Sequence, residues 1–167
     1  LLYDCVDNYS AFPKATSVFA THIDSKTLVT QEEYLATKAN VVFASAPGLV
    51  DKMKKYNDRV YFTPNVGDYE KFKDIKKLKD KLPEDIKSIK RPRIGFTGAL
   101  DAYKFDYDLM AKIAQDHPKY NFVVIGPMAL KDQEASTTID KFKGLENIYI
   151  LGSRDYRQIH TYFAGFD

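Results

Sequence analysis

The sequence predicts an α/β fold in which helices cover parallel sheets. Short β-branched and aromatic runs alternate with helix-like stretches along the chain, and these runs end at Gly or Pro. Such alternation is typical of a parallel sheet with crossover helices, and near-continuous apolar runs are typical of strands buried on both faces. A Lys-rich stretch separates the alternation into two blocks.

The first block contains three predicted strands and two predicted helices. Its strands are rich in Val, Phe and Tyr, and Pro64 ends the last of them because proline cannot donate to a sheet ladder. In the second helix, Leu49, Val50 and Met53 form an apolar side. The predicted elements are strand 1–6, helix 31–39, strand 41–45, helix 48–56 and strand 59–63.

The second block follows Pro92 and has a regular β-α-β-α-β-α order. His117-Pro118 marks the end of its first helix, because the residue before a proline disfavours the helical conformation. This order is half of a doubly wound domain. The predicted elements are strand 93–96, helix 106–116, strand 121–125, helix 133–142, strand 148–151 and helix 155–163.

Between the blocks lies a strongly basic stretch, in which residues 71–93 carry ten basic and four acidic side chains. We predict a linker at residues 69–92. The spacing of its apolar residues predicts one surface helix; these residues are Phe72, Ile75, Leu78, Leu82, Ile86 and Ile89. The stretch is either a solvated linker or a patch for an anionic membrane surface or acidic polymer. A nucleic acid partner is disfavoured, because Phe72 is its single stacking aromatic.

The composition, 44% hydrophobic and 29% charged, is typical of a soluble globular protein. No apolar run approaches the roughly 18–20 residues that span a bilayer, and no signal-peptide pattern occurs. A lone Cys5 favours a reducing compartment. We therefore predict a cytoplasmic protein, with peripheral association at the inner face of the membrane as the alternative. Because the chain opens at Leu1 and stops at Asp167 after an aromatic-rich run, we expect a piece of a longer fold.

The Gly-containing turns that follow three strands are candidate ligand contacts. Open parallel sheets bind ligands outside the carboxyl ends of their strands, so Thr97-Gly98, Gly126-Pro127 and Gly152-Ser153 are predicted to line one rim. The turn from Gly95 to Gly98 offers backbone N–H groups without a nearby Cβ, which suits a phosphate. The alternative is that each Gly only permits a tight strand-to-helix turn.

Several enzyme classes are disfavoured by what the motifs lack. The sequence contains neither Gly-x-Gly-x-x-Gly nor Gly-Lys-Ser/Thr, and no acidic residue follows the strand at 121–125, which argues against nicotinamide oxidoreductases and P-loop enzymes. The histidines, His22, His117 and His160, have no metal-ligand spacing, so we predict no metal site. Asp4 and Asp7 are either acid/base or acceptor-binding groups, or caps of a turn or helix.

Several short motifs follow one another along the chain: Tyr3-Asp4-Cys5-Val6-Asp7, residues 39–45, residues 64–68 with Phe72, residues 94–98, residues 125–127 and residues 147–152. In order and spacing, these motifs resemble the GT-B glycosyltransferases of the bacterial cell-surface polysaccharide type. Tyr3-Asp4-Cys5-Val6-Asp7 resembles the family's Tyr-Asp-x-x-Asp, and residues 39–45 are similar to its Ala-Asp-x-Val-x-x-Ser strand. Residues 64–68 with Phe72 resemble the Pro-Asn-Gly-Val-Asp…Phe hinge, although Val66-Gly67 inverts the usual Gly-Val. Residues 94–98 look like the opening strand of the donor lobe, and 125–127 and 147–152 follow in the expected order.

The resemblance implies a GT-B-like fold made of parts of two Rossmann-like lobes. Residues 1–68 would end the N-terminal acceptor lobe, 69–92 would be the interlobe linker, and 93–167 would begin the C-terminal nucleotide-sugar donor lobe. The implied contacts are Thr97, Gly98 and Lys104 to the donor diphosphate, Gly126 and Pro127 beside the nucleoside, Asn65 and Gly67 at the interlobe cleft, and Asp4 and Asp7 on the acceptor side. Arg154 and Arg157 are the alternatives to Lys104.

The implied function is transfer of a sugar from a nucleotide diphosphate sugar to a glycan or lipid-linked acceptor, without a metal or cofactor. No catalytic residue is predicted. Ala99 stands where the family often has Arg, and the Glu-rich donor-sugar motif is missing, so we expect no turnover by this segment alone. The alternatives are a noncatalytic Rossmann-like binding or assembly module, and a nucleotide-sugar epimerase of the same architecture.

Overall fold

The computed structural model describes residues 1–11, 25–101, 104–128 and 139–167. The chain divides into two compact units, Leu1–Gly67 and Asp68–Asp167. Each unit holds its own three-stranded parallel sheet. The predicted α/β class with separate parallel sheets is therefore confirmed.

The first unit has the predicted alternation of strands and helices. Its helix α1 begins six residues before the predicted start, at Ser25, and it ends where the Asn57 amide donates to the carbonyls of Ala36 and Ala39, at 2.7 and 2.8 Å. The sheet order is β1-β2-β3. Its elements are β1 Leu2–Cys5, a 3₁₀ turn Tyr9–Ala11, α1 Ser25–Lys38, β2 Val41–Ala44, α2 Pro47–Met53 and β3 Val60–Phe62.

The core of this unit forms on one face of its sheet. Val42 and Ala44 of β2 are buried and pack with Ala36 of α1 and Met53 of α2. Side chains alternate along a strand, so Leu2, Phe43 and Tyr61 lie on the opposite face. Leu2 and Tyr61 are exposed there, and this face is not covered by the described residues of the unit.

The second unit has sheet order β4-β5-β6. Its last helix begins four residues later than predicted, because the Asp155 carboxylate accepts a hydrogen bond from the Arg157 backbone N–H at 2.8 Å and holds a turn there. The helix predicted at 133–142 lies mostly outside the described residues. The elements are α3 Tyr69–Phe72, a 3₁₀ helix Ile75–Lys81, α4 Glu84–Lys87, β4 Arg93–Thr97, α5 Tyr107–Asp116, β5 Asn121–Ile125, a 3₁₀ turn Asp140–Phe142, β6 Ile148–Gly152 and α6 Ile159–Phe163.

The Lys-rich segment differs from the prediction of one surface helix, which is wrong. It forms three short helical pieces, α3, the 3₁₀ helix and α4. The break before α4 occurs because Pro83 holds the preceding Leu82 in an extended conformation. Its last piece is not on the surface, since Ile86 is fully buried in a cluster with Val123 and Tyr162. The segment that carries these basic residues therefore also contributes apolar side chains to the core of the second unit.

Both faces of the second sheet are covered, as in a doubly wound domain. Val124 packs on one face with Phe105 and Ala111 of the α5 side. Val123 packs on the other face with Ile86 of α4 and Tyr162 of α6. This double coverage explains why Phe122 to Ile125 read as an unbroken apolar run, with each residue of the run buried.

A buried arginine joins α4, β4 and the residues after α6. The Arg93 side chain, only 5% exposed, donates to the carbonyls of Lys87, Ile89 and Gly165 at 3.1, 2.7 and 3.2 Å. Burial lowers the pKa of Arg93. Asp167 lies beside it: its Oδ2 accepts a hydrogen bond from the Arg93 backbone N–H at 2.9 Å, and its backbone N–H donates to the Arg93 carbonyl at 3.0 Å.

Candidate functional site

The carboxyl ends of β4, β5 and β6 meet at one rim of the second sheet. In the register of the sheet, Thr97 lies beside Ile125, and Ile125 lies beside Gly152. Beyond the strands, the Gly98 N–H donates to the Ile125 carbonyl and the Gly126 N–H donates to the Gly152 carbonyl, each at 3.0 Å. The three predicted turns therefore stand side by side.

Gly126 allows the first two turns to approach each other closely. A Cβ at this position would lie 1.7 Å from the Gly98 carbonyl oxygen, a distance that no side chain tolerates. The Leu100 N–H also donates to the Pro127 carbonyl at 2.9 Å. Gly126 is buried whereas Pro127 is exposed, so Pro127 is the member of this pair that faces solvent.

The backbone at Gly98 is arranged differently from a phosphate turn at a helix start. Residues 99–106 separate Gly98 from α5, and the Gly98 N–H is already bound to Ile125. Ala99 is the next residue, and its N–H donates to no acceptor among the described residues. Gly95 serves packing instead, because a Cβ there would lie 2.2 Å from the Phe166 ring.

Aromatic side chains anchor the loop that follows Gly98. The Phe105 ring makes edge contacts with Phe96 and Tyr107, at centroid distances of 4.7 and 4.8 Å. The Tyr107 hydroxyl donates to the Leu100 carbonyl at 2.7 Å. Lys104 is exposed, next to the buried Phe105. The predicted cation thus stands on a loop whose flanking residues are fixed in the core.

A cluster that sequence reasoning missed lies directly after β6. Arg154 donates through Nη2 to Asp85 Oδ2 at 2.7 Å and through Nε to the Tyr162 hydroxyl at 2.8 Å. The Tyr162 hydroxyl in turn donates to Asp85 Oδ2 at 3.1 Å. Asp85 and Arg154 are 69 positions apart, so no local pattern could have paired them.

The electrostatics of this cluster favour the ionised pair. Burial raises the pKa of Asp85, but hydrogen bonds from Arg154, the Ile86 N–H and Tyr162 outweigh it, and the net pKa lies below its usual value. The hydrogen bond to Asp85 raises the pKa of Arg154. Arg157, the other alternative to Lys104, is 86% exposed along its side chain and pairs with Asp155 at 2.6 Å. Both alternative arginines therefore already hold a carboxylate.

The residues predicted for the acceptor side and the cleft lie in the first unit. Asp4 is an exposed residue of β1 beside Phe43, and Asp7 is exposed two residues beyond that strand. Asn65 and Gly67 flank Val66, which is 92% exposed, after β3. Their assignments to acceptor and cleft stay predictions.

A second polar cluster, also missed from the sequence, lies beyond β1. Lys52 Nζ donates to Glu32 Oε2, Asn8 Oδ1 and Ser10 Oγ, at 2.7, 2.8 and 3.3 Å. Glu32 is 5% exposed, and its Oε1 has no hydrogen-bond partner among the described residues. Burial, with Cys5 and Glu32 nearby, raises the pKa of Tyr3. This cluster fixes the turn after β1 against α1 and α2.

The described ranges hold neither a metal-binding cluster nor a membrane-spanning helix. No three His, Cys, Asp or Glu side chains gather there in a way that could hold a metal ion. Among the helices described, none combines the length and the apolar character that crossing a bilayer requires.

Solved structures that resemble the chain include three of HepE (Alr3699) from Anabaena. The complex with UDP and glucose has a TM-score of 0.68 and 18% identity; the complex with UDP-glucose has 0.67 and 20%; the complex with UDP has 0.66 and 18%. Each match covers 99% of this chain and 44% of the HepE chain.

No protein-family model and no curated protein matches the chain. At 18–20% identity, the likeness to HepE shows the fold. The chain spans less than half of the HepE length, so the likeness concerns part of that fold. The GT-B-like class predicted from the sequence, with parts of two Rossmann-like lobes, is thereby confirmed.

Proposed function

We propose that this chain is part of a nucleotide-sugar-dependent glycosyltransferase whose donor binds at the rim of the second sheet. The observation that carries the proposal is the meeting of three Gly-containing strand ends at that rim, in a fold whose solved neighbour holds UDP and UDP-glucose. Ligands of open parallel sheets bind at this edge. UDP or GDP is the expected nucleotide, and the nucleotide sugar is a substrate rather than a cofactor.

The proposed diphosphate site consists of Thr97, Gly98 and Lys104. Ala99 adds a backbone N–H that no described residue accepts from, and the lack of a side chain at Gly98 lets an anion approach the backbone. Lys104 supplies positive charge from an anchored loop. These groups would stabilise the charge that develops on the departing diphosphate, which is commonly the largest catalytic term.

The proposed nucleoside site adjoins this position on the rim. Pro127 presents the exposed ring, and the buried Gly126 behind it holds the β5 turn against Gly98. The Pro127 ring offers apolar contact to a base, and nucleotide and other small-molecule sites are lined mainly by such apolar groups with a few polar ones. No metal is needed for the proposed chemistry, because Lys104 and the backbone N–H groups provide the compensating charge.

The proposed acceptor is a glycan or a lipid-linked sugar of cell-surface polysaccharide synthesis, with Asp4 and Asp7 as acceptor-side carboxylates. We place the protein in the cytoplasm, and peripheral attachment to anionic lipid is the alternative. In the 3₁₀ helix Ile75–Lys81, Lys76 and Lys79 are exposed and lie in one row, because such a helix has three residues per turn. Each lysine near an anionic membrane surface contributes about 1 kcal/mol to the free energy of membrane binding.

One observation favours a second candidate, a noncatalytic nucleotide-binding module. Ala99 replaces the Arg that the resembled family often has, and Arg154 and Arg157 are both engaged with carboxylates. In this case the rim would bind a nucleoside diphosphate without sugar transfer. Release of UDP from UDP-glucose during incubation with an acceptor distinguishes the two candidates.

Isothermal titration calorimetry of the purified full-length protein tests the proposal. We expect binding of UDP or GDP and no heat with NAD, because no acidic residue follows β5 to hold a ribose. Tight NAD binding without nucleoside diphosphate binding would contradict the proposed function. Nucleotide binding without turnover of any sugar donor would favour the noncatalytic module.

A further inference from the structure

The Asp85, Arg154 and Tyr162 cluster gathers three separate elements of the second unit behind the rim. Asp85 belongs to α4, Tyr162 belongs to α6, and Arg154 follows β6 by two residues. One carboxylate oxygen, Asp85 Oδ2, accepts from Arg154 Nη2 at 2.7 Å, Arg154 Nε at 3.2 Å and the Tyr162 hydroxyl at 3.1 Å. The geometry fixes the guanidinium in one orientation.

Hydrogen bonds connect this guanidinium to the candidate site. Arg154 Nη1 donates to the Ser153 carbonyl at 2.9 Å. Ser153 adjoins Gly152, whose φ of +73° is a left-handed conformation that favours glycine. The Gly152 carbonyl accepts from the Gly126 N–H at 3.0 Å. A continuous path therefore runs from Asp85 to the turn after β5.

The rim segment that this path holds is open to a ligand. Ser153 is exposed, and its backbone N–H donates to no acceptor among the described residues. Arg154 itself directs Nε, Nη1 and Nη2 to protein acceptors, and its charge faces Asp85. The side chain is thus arranged to hold the backbone rather than to receive a phosphate.

We propose that Arg154, held by Asp85 and Tyr162, is a positioning residue that fixes the Gly152-Ser153 rim for the nucleoside part of the donor. The inference rests on the proposed function, and it concerns the part of the proposed donor site that binds the nucleoside. It assigns no phosphate contact to Arg154. The backbone N–H and hydroxyl of Ser153 then remain available for the polar edge of a base or ribose.

The substitution Arg154→Lys separates positioning from phosphate binding. Lysine retains the positive charge and serves phosphates as a point charge, but it loses the planar fork that binds Asp85 and Ser153 together. Tyr162→Phe removes only the hydroxyl and retains the ring in the core. We expect each variant to weaken UDP binding about tenfold, as expected for one hydrogen bond to a charged group, while pyrophosphate binding stays unchanged.

The experiment compares UDP and pyrophosphate titrations of the full-length protein, its two variants and Arg157→Lys as a matched control. Arg157→Lys alters an exposed arginine three residues away and leaves both affinities unchanged in our account. Equal losses for UDP and pyrophosphate, or unchanged UDP binding in Tyr162→Phe and Arg154→Lys, would overturn the inference. A wild-type protein that binds no nucleoside diphosphate overturns the proposed function, which is a distinguishable result.

Discussion

The substitution Gly126→Ala tests whether the close approach of the β4 and β5 turns is required for the fold of the second unit. The new Cβ would lie 1.7 Å from the Gly98 oxygen and 2.7 Å from the Gly98 carbonyl carbon, whereas real contacts begin near 3.0 Å. Since both atoms are backbone, no side-chain rotation relieves the clash. The β4 turn must move away from Gly126.

The expected loss of stability follows from the contacts that this movement breaks. Two backbone hydrogen bonds join the turns, from Gly98 N–H to Ile125 and from Leu100 N–H to Pro127, each contributing about 1 kcal/mol. Overpacking adds about 1–3 kcal/mol. We therefore expect Gly126→Ala to lower the free energy of unfolding by about 3–5 kcal/mol.

Urea unfolding followed by circular dichroism measures this loss, and hydrogen exchange of the β5 amides assigns it to the second unit. Gly144→Ala is the matched control, because Gly144 also has positive φ, +82°, but has no atom within 4 Å of an added Cβ. Its expected cost is the conformational one, about 1–2 kcal/mol. A Gly126→Ala protein as stable as Gly144→Ala would refute the reasoning.

Three further predictions concern charged residues of the second unit. Lys104→Ala is expected to weaken UDP binding by about 1–3 kcal/mol in calorimetry, and unaltered affinity would remove Lys104 from the diphosphate site. Arg93→Lys is expected to lower the free energy of unfolding in urea by about 2–3 kcal/mol, because a compact ammonium cannot reach the three separate carbonyls that Nε, Nη1 and Nη2 of the planar guanidinium bind; a wild-type midpoint would contradict this. Asp85 has a depressed pKa in the folded protein, so its contribution is complete above the unfolded pKa of about 3.9 and is lost as the pH falls through the lower folded pKa. Asp85→Asn should therefore flatten the stability profile in this acidic range, and an unchanged slope in acid titration of the unfolding midpoint would count against the cluster.

The elements that sequence predicts well are those in which local and tertiary preferences agree. The sequence predicts helix α5 at 106–116, and the structure has it at Tyr107–Asp116, because the Asp106 side chain accepts a hydrogen bond from the Leu109 N–H at 2.9 Å and caps the helix. Tyr107, Ala111 and Ala114 form its buried face, whereas Leu109 and Ile113 are exposed. Strand β5 coincides with its predicted range. Its unbroken apolar run suits a strand with both faces covered.

The Lys-rich segment shows where local pattern fails. Its apolar spacing predicted one helix, yet Leu82-Pro83 interrupts it and Ile86 is buried by contact with Val123 and Tyr162. Those contacts join positions that are distant in the sequence. Helix periodicity carries no information about which sheet a short apolar piece will cover.

The rim of the candidate site could be predicted from the sequence, but the cluster of Asp85, Arg154 and Tyr162 behind it could not. Gly98, Gly126 and Gly152 each lie at or just beyond the end of a strand. Because the carboxyl ends of parallel strands share one edge of the sheet, the sequence predicts that these three residues lie together. The partnership of Arg154 with Asp85 depends on tertiary packing of α4 against β6 and α6, to which neither residue's sequence neighbourhood points. The same reason applies to Glu32 and Lys52, which are 20 positions apart.

A crystal structure of the full-length protein with UDP tests the central claim most directly. Our account predicts the diphosphate beside Gly98, Ala99 and Lys104, and the nucleoside against Pro127 and Ser153, at the carboxyl ends of β4, β5 and β6. Well-defined UDP bound away from this rim, or at the opposite edge of the sheet, would contradict the account.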